Sequence, residues 1–315
     1  MSVSVIIPSD LSNRHDWLKH ALSFLYRNGF TGEVVVGVWG GYNLMPDLSD
    51  FCRDWPVRIF AQDGADLFTE RWLEMARKAS GDYIIQIGDD DFLMSEALDK
   101  MAATLASDPS ISAVQGRTLS IYRGADGWRL IPFPMWPATE PDALSRLENY
   151  ATHTGQTFHA MMRHVDFLEK LSLMNAAATF TGDHIWFEII GDLYALIKGR
   201  FAIIDDIFIL RSKHADNTSR VFLRDHSDKM FPYHLLSNNF TTHYKFFEGQ
   251  LFALLKSCGV DTGANRKAIK DAVLNLLGSI IYSRRGPRSL EECTLIESLH
   301  IIGPKLFKMV DDAKP

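Results

Sequence analysis

The sequence has 315 residues, of which 46% are hydrophobic, and its formal net charge is -6. This length and composition suit one large α/β domain with a smaller appendage, or two ordinary domains. The acidic balance argues against nucleic acid as a main partner, because neutralising phosphates needs a basic face, and no apolar run approaches the ~18 residues that a membrane span needs.

The first third of the chain alternates β-type runs with helical patterns. Val3–Ile7 is an apolar run, interrupted only by the small Ser4 and ended by Pro8, which predicts a strand buried on both faces. A helix is expected over Asp16–Arg27, where apolar residues recur at helical spacing before Asn28 and Gly29. The further predicted elements are the strands Val34–Val38, Val57–Phe60 and Tyr83–Ile87 and the helices Leu67–Ala79 and Ser95–Leu105. This order predicts an α/β fold with a mostly parallel mixed sheet flanked by helices.

The pattern changes beyond residue 110. A hairpin is predicted from Ala113–Arg123 and Trp128–Ile131, and Pro132–Pro141, with four prolines, is expected to be a loop near the site. The later predicted elements are the strands Phe158–Arg163 and Phe201–Leu210 and the helices Val165–Leu173 and Asp183–Leu196. From about residue 231 the pattern is helical. We therefore predict a catalytic domain over residues 1–225 and a helical C-terminal region over 226–315.

Three consecutive aspartates, Asp89, Asp90 and Asp91, follow the fourth predicted strand. Adjacent carboxylates repel one another unless a cation or a helix N-terminus compensates. They lie where open α/β sheets bind ligands, and their oxygens suit Mg²⁺ or Mn²⁺ shared with substrate phosphates. We predict such a metal site; capping of the following helix is the alternative.

Polar residues at three other positions are candidates for the same site. His214 and Lys213 follow the last predicted strand, where the histidine would contact metal or phosphate and the lysine would place a point charge on a diphosphate. Asp63 follows the third strand and would hold a base or ribose, although a turn explains it nearly as well. Asp183 begins a predicted helix and is either a cap or a carboxylate that faces a cleft.

Taken together, these features resemble the inverting family 2 glycosyltransferases of the glycosyltransferase A (GT-A) fold. The resemblance covers about residues 3–220. The first strand, ending at Pro8 and Asp10, resembles the family strand that lies against the nucleotide base. Arg71 falls where the family commonly has an arginine before the Asp-rich strand. The segment Lys213–Ser219 resembles the family loop that closes over the donor phosphates.

The resemblance implies an enzyme that moves a sugar from a nucleotide-diphosphate sugar to a hydroxyl of a glycan or lipid-linked acceptor, with inversion. Gly88-Asp89-Asp90-Asp91 falls on the Asp-x-Asp motif, so Asp91 with Asp89 or Asp90 would hold Mn²⁺ or Mg²⁺ and the diphosphate, with His214 as a further ligand. Asp183 would take the proton from the acceptor hydroxyl.

Two departures from the family pattern stand out. The second strand ends at Trp39 instead of acidic residues, so stacking by Trp39 would replace the usual contact with the donor base. Gly88 and Gly182 also occupy positions where the family often has acids. A non-catalytic protein that keeps the fold is therefore one alternative. A nucleotidyltransferase is another, although the loop after the first strand lacks the glycines typical of that class.

The cysteines, the N-terminus and a group of arginines give weaker indications of the cellular location. The three cysteines are far apart, so we expect reduced thiols rather than a disulfide framework. The N-terminus lacks the pattern of a secretory signal, from which we expect a cytoplasmic protein. Arg284, Arg285 and Arg288 would suit peripheral contact with an anionic membrane, but a solvated charged end is the simpler interpretation.

Overall fold

The computed structural model describes residues 1–62, 64, 67–124, 127–153, 157–182, 184–213, 238–282 and 304–314. Its strands are β1 Val3–Asp10, β2 Glu33–Trp39, β3 Val57–Ala61, β4 Tyr83–Gln86, β5 Phe92–Leu93, β6 Ile111–Gly124, β7 Gly127–Pro132, β8 Met161–Arg163 and β9 Arg200–Ser212. Its helices are α1 Leu11–Arg27, α2 Met45–Phe51, α3 Phe68–Lys78, α4 Ser95–Ser107, α5 Ala143–His153, α6 His164–Thr181, α7 His184–Lys198, α8 Phe240–Ser257 and α9 Arg266–Tyr282. A further helix, α10, spans residues 304–312.

The strands form one mixed sheet in the order β3-β2-β1-β4-β8-β6-β9-β5, with β7 paired to β6. The first four strands of the chain run parallel to one another. Strand β8 is antiparallel to both β4 and β6, and β9 is parallel to β6. Strand β9 therefore points the same way as β1 and β4, and all three have their carboxyl ends at one edge of the sheet.

Helices cover both faces of this sheet, which explains the three consecutive apolar residues at the centre of β1. Ile6 packs into one core with residues of α3, α6 and α7, whereas Val5 and Ile7 pack into the other with residues of α1 and α4. All three residues are fully buried. A strand covered on both faces has no solvent side, so its residues do not alternate with polar ones. The predicted α/β architecture is confirmed.

Local differences from the predicted elements have packing causes. Helix α5 was not predicted, and its apolar residues Leu147 and Ala151 are buried in the α3–α6–α7 core. Helix α6 runs eight residues further than predicted, to Thr181, and ends at Gly182 with a φ of 65°. The strand predicted over Phe158–Arg163 shrinks to β8, because the residues before Met161 form a turn.

The C-terminal helices pack in two different places. Helices α8 and α9 join the core of α3, α6 and α7 through residues such as Phe247 and Val273. Helix α10 instead packs against α1 and the strands β5, β6 and β9. Within the described ranges, no helix has both the length and the apolar character needed to cross a bilayer.

Candidate active site

The three aspartates form a tight buried turn between β4 and β5. Asp89, Asp90 and Asp91 are only 5–6% exposed, although they follow the carboxyl end of a parallel strand. Gly88 opens the turn, and a Cβ there would lie 2.9 Å from Oδ1 of Asp90 and 3.2 Å from Oδ2 of Asp91. A larger residue would therefore crowd the carboxylates, which gives a steric reason for glycine where the family often has an acid.

Arg14, on the first turns of α1, neutralises part of this cluster. Its Nε and Nη2 donate to Oδ1 of Asp89 at 3.1 and 2.9 Å, and Nη2 also lies 2.7 Å from Oδ2 of Asp90. Ser9, at the end of β1, donates to Oδ2 of Asp89 at 2.7 Å. Burial by itself would lower the pKa of Arg14, but the two carboxylates outweigh it and the pKa is raised. The guanidinium therefore stays charged.

Asp89 and Asp91 differ in how their charge is compensated. Burial raises the pKa of Asp89, and the contacts with Arg14 and Ser9 oppose that rise. Burial also raises the pKa of Asp91, and repulsion from Asp90 adds to the effect. Oδ1 of Asp91 accepts from the backbone N–H of Ser212 at 3.1 Å, whereas Oδ2 makes no hydrogen bond within the part of the chain that the structure describes.

The end of β9 brings further positive charge to Asp91. The side chains of Arg211 and Lys213 both lower its pKa from the value that burial would impose, and the backbone N–H of Lys213 donates to the carbonyl of Ile121 at 2.8 Å. Lys213 therefore lies beside the aspartate turn, as expected of a residue that meets the same ligand. His214 lies outside the described residues.

A neutral histidine underlies the turn. Nδ1 of His159 lies 2.9 Å from the carbonyl oxygen of Gln86, the last residue of β4. Burial, with a contribution from the nearby Arg211, lowers the pKa of His159 to about 3. His159 is therefore uncharged at neutral pH and supports the backbone that leads into the aspartates.

Trp39 and Arg71 meet at the carboxyl end of β2. The guanidinium carbon of Arg71, on α3, lies 4.0 Å from the centre of the Trp39 ring, in the geometry of a cation–π contact. Phe68 contacts the same ring edge-on at 5.7 Å. Gly40 and Gly41 follow with φ of 59° and 51°, which lets the chain turn tightly beside the start of α1. The structure thus brings these two predicted donor contacts together.

The remaining predicted residues divide into two groups. Pro8 is half-buried in β1, opposite Gly37 of β2, and Asp10 caps α1 by accepting from the backbone N–H of Ser12 at 3.1 Å. Both lie at the same sheet edge as the aspartate turn, because they directly precede and follow Ser9 in the sequence. Asp63 and Asp183 lie outside the described residues.

Glu188 on α7 was not singled out from the sequence. Burial raises its pKa to about 7, repulsion from Asp192 adds to the rise, and Arg211 opposes it. Glu188 is nevertheless exposed, unlike the α7 residues on either side of it. Arg211 opposes the rise in pKa of both Glu188 and Asp91, so the two carboxyls share one positively charged neighbour.

Residues 44–171 match the family model described as Glycosyl transferase family 2. Over this segment the chain is similar to family 2 glycosyltransferases. The matched segment includes Arg71 and the three aspartates, whereas Asp183 and Lys213 lie beyond it. No curated protein sequence matches the chain significantly.

Solved structures share the fold of this chain at low sequence identity. The structure of S. aureus TarS 1-349 in complex with UDP-GlcNAc has a TM-score of 0.51 at 14% identity, with 100% of this chain and 90% of that chain covered. GalNAc-T7 with UDP, GalNAc and Mn²⁺ has a TM-score of 0.50 at 13% identity, with 68% and 44% covered. The chain spans 39% of a longer TarS chain. These similarities confirm the predicted GT-A fold.

Sequence reasoning missed Arg14, Ser9 and Ser212 as parts of the site. Each is a common residue type in its helix or strand, and none belongs to a recognisable sequence motif. The available signal was positional, because Ser9 and Ser212 end strands whose carboxyl ends share an edge with the aspartates. Arg14 is one turn into the helix that follows β1, so its long side chain reaches back across that edge.

Proposed function

We propose that this protein transfers a sugar, with inversion, from a nucleotide-diphosphate sugar to an acceptor hydroxyl, with Mn²⁺ or Mg²⁺ held at the aspartate turn. The observation that carries the proposal is the burial of three adjacent carboxylates at the carboxyl edge of the sheet. Buried charge is unfavourable without compensation, and the pKa values of Asp89 and Asp91 are raised. A bound cation would remove this penalty.

The donor atoms fit a divalent cation shared with a diphosphate. Oδ2 of Asp91 is the carboxylate oxygen best suited to bind it, because Oδ1 is occupied by Ser212. Both oxygens of Asp89 are engaged by Arg14 and Ser9, so we propose Asp90 as the second acid and Asp89 as the residue that fixes Arg14. No group of three His, Cys, Asp or Glu among the described residues forms a complete cage. Donor phosphates and His214 would supply the remaining ligands.

A nucleotide-diphosphate sugar suits the residues around the turn. The bound cation would neutralise charge on the departing diphosphate. Lys213 lies on one side of the aspartates, and the Trp39–Arg71 pair at the end of β2 offers a flat surface for the base. The TarS and GalNAc-T7 structures contain UDP-GlcNAc or UDP, which makes uridine nucleotides the first donors to test.

The acceptor oxygen would attack the anomeric carbon as the bond to the diphosphate oxygen breaks, and its proton would pass to a carboxylate. Asp183 is the residue that we propose for this role, because it immediately precedes α7 in the sequence. Glu188, on α7, is the second candidate, because its pKa is raised to about 7 and, unlike Asp91, it is not assigned to the metal. A general base works best when its pKa lies near the operating pH.

The first experiment measures binding. Thermal unfolding is followed with UDP, GDP, UDP-GlcNAc and GDP-mannose, each with and without Mn²⁺. A ligand at 100 times its Kd adds about 2.7 kcal/mol of stability, so a metal-dependent rise in melting temperature is expected. Asp91→Asn should abolish the metal-dependent part, and Asp99→Asn, at an exposed position on α4, should retain it. No shift with any nucleotide would reject the proposal in favour of a non-catalytic protein.

The second experiment measures chemistry. Release of nucleoside diphosphate from the donor that binds is compared for the wild type, Asp183→Asn and Glu188→Gln. Loss of turnover with retained donor binding identifies the base. Release of pyrophosphate from a nucleoside triphosphate would instead identify a nucleotidyltransferase.

Three further expectations stay predictions. The boundary near residue 225 lies outside the described residues. So do Arg284, Arg285 and Arg288, for which peripheral membrane contact was considered. A glycan or lipid-linked acceptor rests on the family resemblance alone.

A further inference from the structure

The carboxylate that we assign to the metal lies directly before the shortest strand of the sheet. Strand β5, which begins directly after Asp91, has two residues and forms the edge of the sheet. Among the described residues, its register with β9 pairs Phe92 with Leu210 and Leu93 with Ile209, and the backbone N–H of Met94 donates to Phe208 just beyond the strand. So short a ladder supplies few hydrogen bonds, and local opening is easiest where packing and hydrogen bonding are sparse.

Helix α10 packs directly behind this edge strand. Leu306, Val310 and Ala313 are buried in one apolar cluster with Phe92 and Leu210, which form one of the pairs between β5 and β9. Other members of the cluster come from α1 and β6, namely Phe24, Leu119 and Ile121. Helix α10 therefore contacts the residue after Asp91 and the strand that leads to Ser212.

Two polar contacts from α1 hold α10 in this position. Nε2 of His20 donates to the carbonyl oxygen of Val310 at 2.6 Å, and the guanidinium of Arg27 donates to the carbonyl oxygen of Asp312. The buried His20 ring also packs edge-on against Phe92 with the ring centres 4.7 Å apart. One histidine thus joins α10 to the residue that follows the aspartates.

We propose that α10 is a positioning element for the aspartate turn, and that Val310 and Leu306 act through Phe92 to hold Asp91 in its binding geometry. The element lies more than 130 residues beyond the segment that matches the family model, which ends at residue 171. The consequence for metal binding rests on the proposed function, whereas the consequence for the order of the turn does not.

The test uses full-length variants of α10. Val310→Asp places a charge in the buried cluster, Val310→Ala removes two methyl groups, and Val310→Ile keeps the apolar character. Lys308→Asp introduces the same acid at an exposed position of the same helix and is the matched control. Hydrogen exchange is measured without metal for peptides covering residues 87–94 and 33–39. The affinity for Mn²⁺ is then measured in the presence of the nucleotide that binds best.

In Val310→Asp, exchange at residues 87–94 should accelerate about tenfold or more while residues 33–39, in β2, remain protected. The Mn²⁺ affinity of Val310→Asp should fall about tenfold. Val310→Ala should lie between the wild type and Val310→Asp in both measurements, and Val310→Ile and Lys308→Asp should equal the wild type in both. If Val310→Asp does not fold, Val310→Ala decides. Faster exchange in α10 with unchanged exchange at 87–94 would overturn the inference. A wild type that binds no Mn²⁺ would defeat the proposed function alone, since the exchange result stands without metal.

Discussion

Arg14→Met removes a buried positive charge while keeping a long apolar side chain. The guanidinium contacts Asp89 and Asp90, and the side chains on both sides of these ion pairs are 9% exposed. Removing one partner of a buried ion pair typically costs about 3–5 kcal/mol, because the other charge is left uncompensated. We expect the free energy of unfolding to fall by about 3 kcal/mol at pH 7, the lower end of this range. The reason is that burial has already raised the pKa of the carboxyl, so that it can take up a proton when its partner is removed.

The pH dependence of this loss follows from the sign of the shift. Without Arg14 the pKa of Asp89 should rise further above its unfolded value. A carboxyl with a raised folded pKa contributes stability that is present below the unfolded pKa and lost as pH rises through the folded one. The deficit of the variant should therefore be largest at pH 7 and shrink toward pH 4.

Urea unfolding followed by tryptophan fluorescence, at pH 7 and pH 5, measures both effects. Arg53→Met is the control, because Arg53 and its partner Asp50 are more than 70% exposed and such pairs contribute little. If Arg14→Met lies within about 0.5 kcal/mol of the wild type at pH 7, or loses more stability as the pH falls, the electrostatic account of the turn is wrong.

Three other predictions concern neighbouring residues. The pKa of His159 in the folded protein is about 3, below its value in the unfolded chain. The free energy of unfolding should therefore fall as the pH drops below about 6.5, by up to ~1.4 kcal/mol per pH unit. His159→Gln should reduce this pH dependence in urea titrations from pH 6.5 to 4.5. Gly41→Ala should cost at least ~2 kcal/mol, because its Cβ would lie 2.7 Å from backbone atoms, whereas Gly29→Ala, also at positive φ but in open space, should cost ~1 kcal/mol in the same assay. Trp39→Leu should weaken nucleotide binding about tenfold in a titration, if its ring stacks on the base; unchanged affinity would exclude stacking.

Much of the fold was predictable because its signals are local. The apolar run of β1 and the helical spacing in α1, α3 and α4 follow from which faces of each element are buried, and these show directly in the order of residues. The candidate site at the aspartates was visible for the same reason, since three adjacent acids after an apolar strand are unfavourable without a compensating charge. Helix α5 was missed because its periodic pattern follows directly on a proline-rich segment that we expected to be a loop.

The partners of the aspartates depended on tertiary structure. Arg14 is 75 positions from Asp89, and Ser212 is 121 positions from Asp91. No local pattern links such residues, and they meet because β1, β4 and β9 share one direction and end at one edge. The sequence by itself determined where acids follow a strand. The sheet order decided which positively charged side chains and backbone N–H groups surround these acids. Helix α10 is the extreme case, because it reaches β5 from the far end of the chain through packing alone.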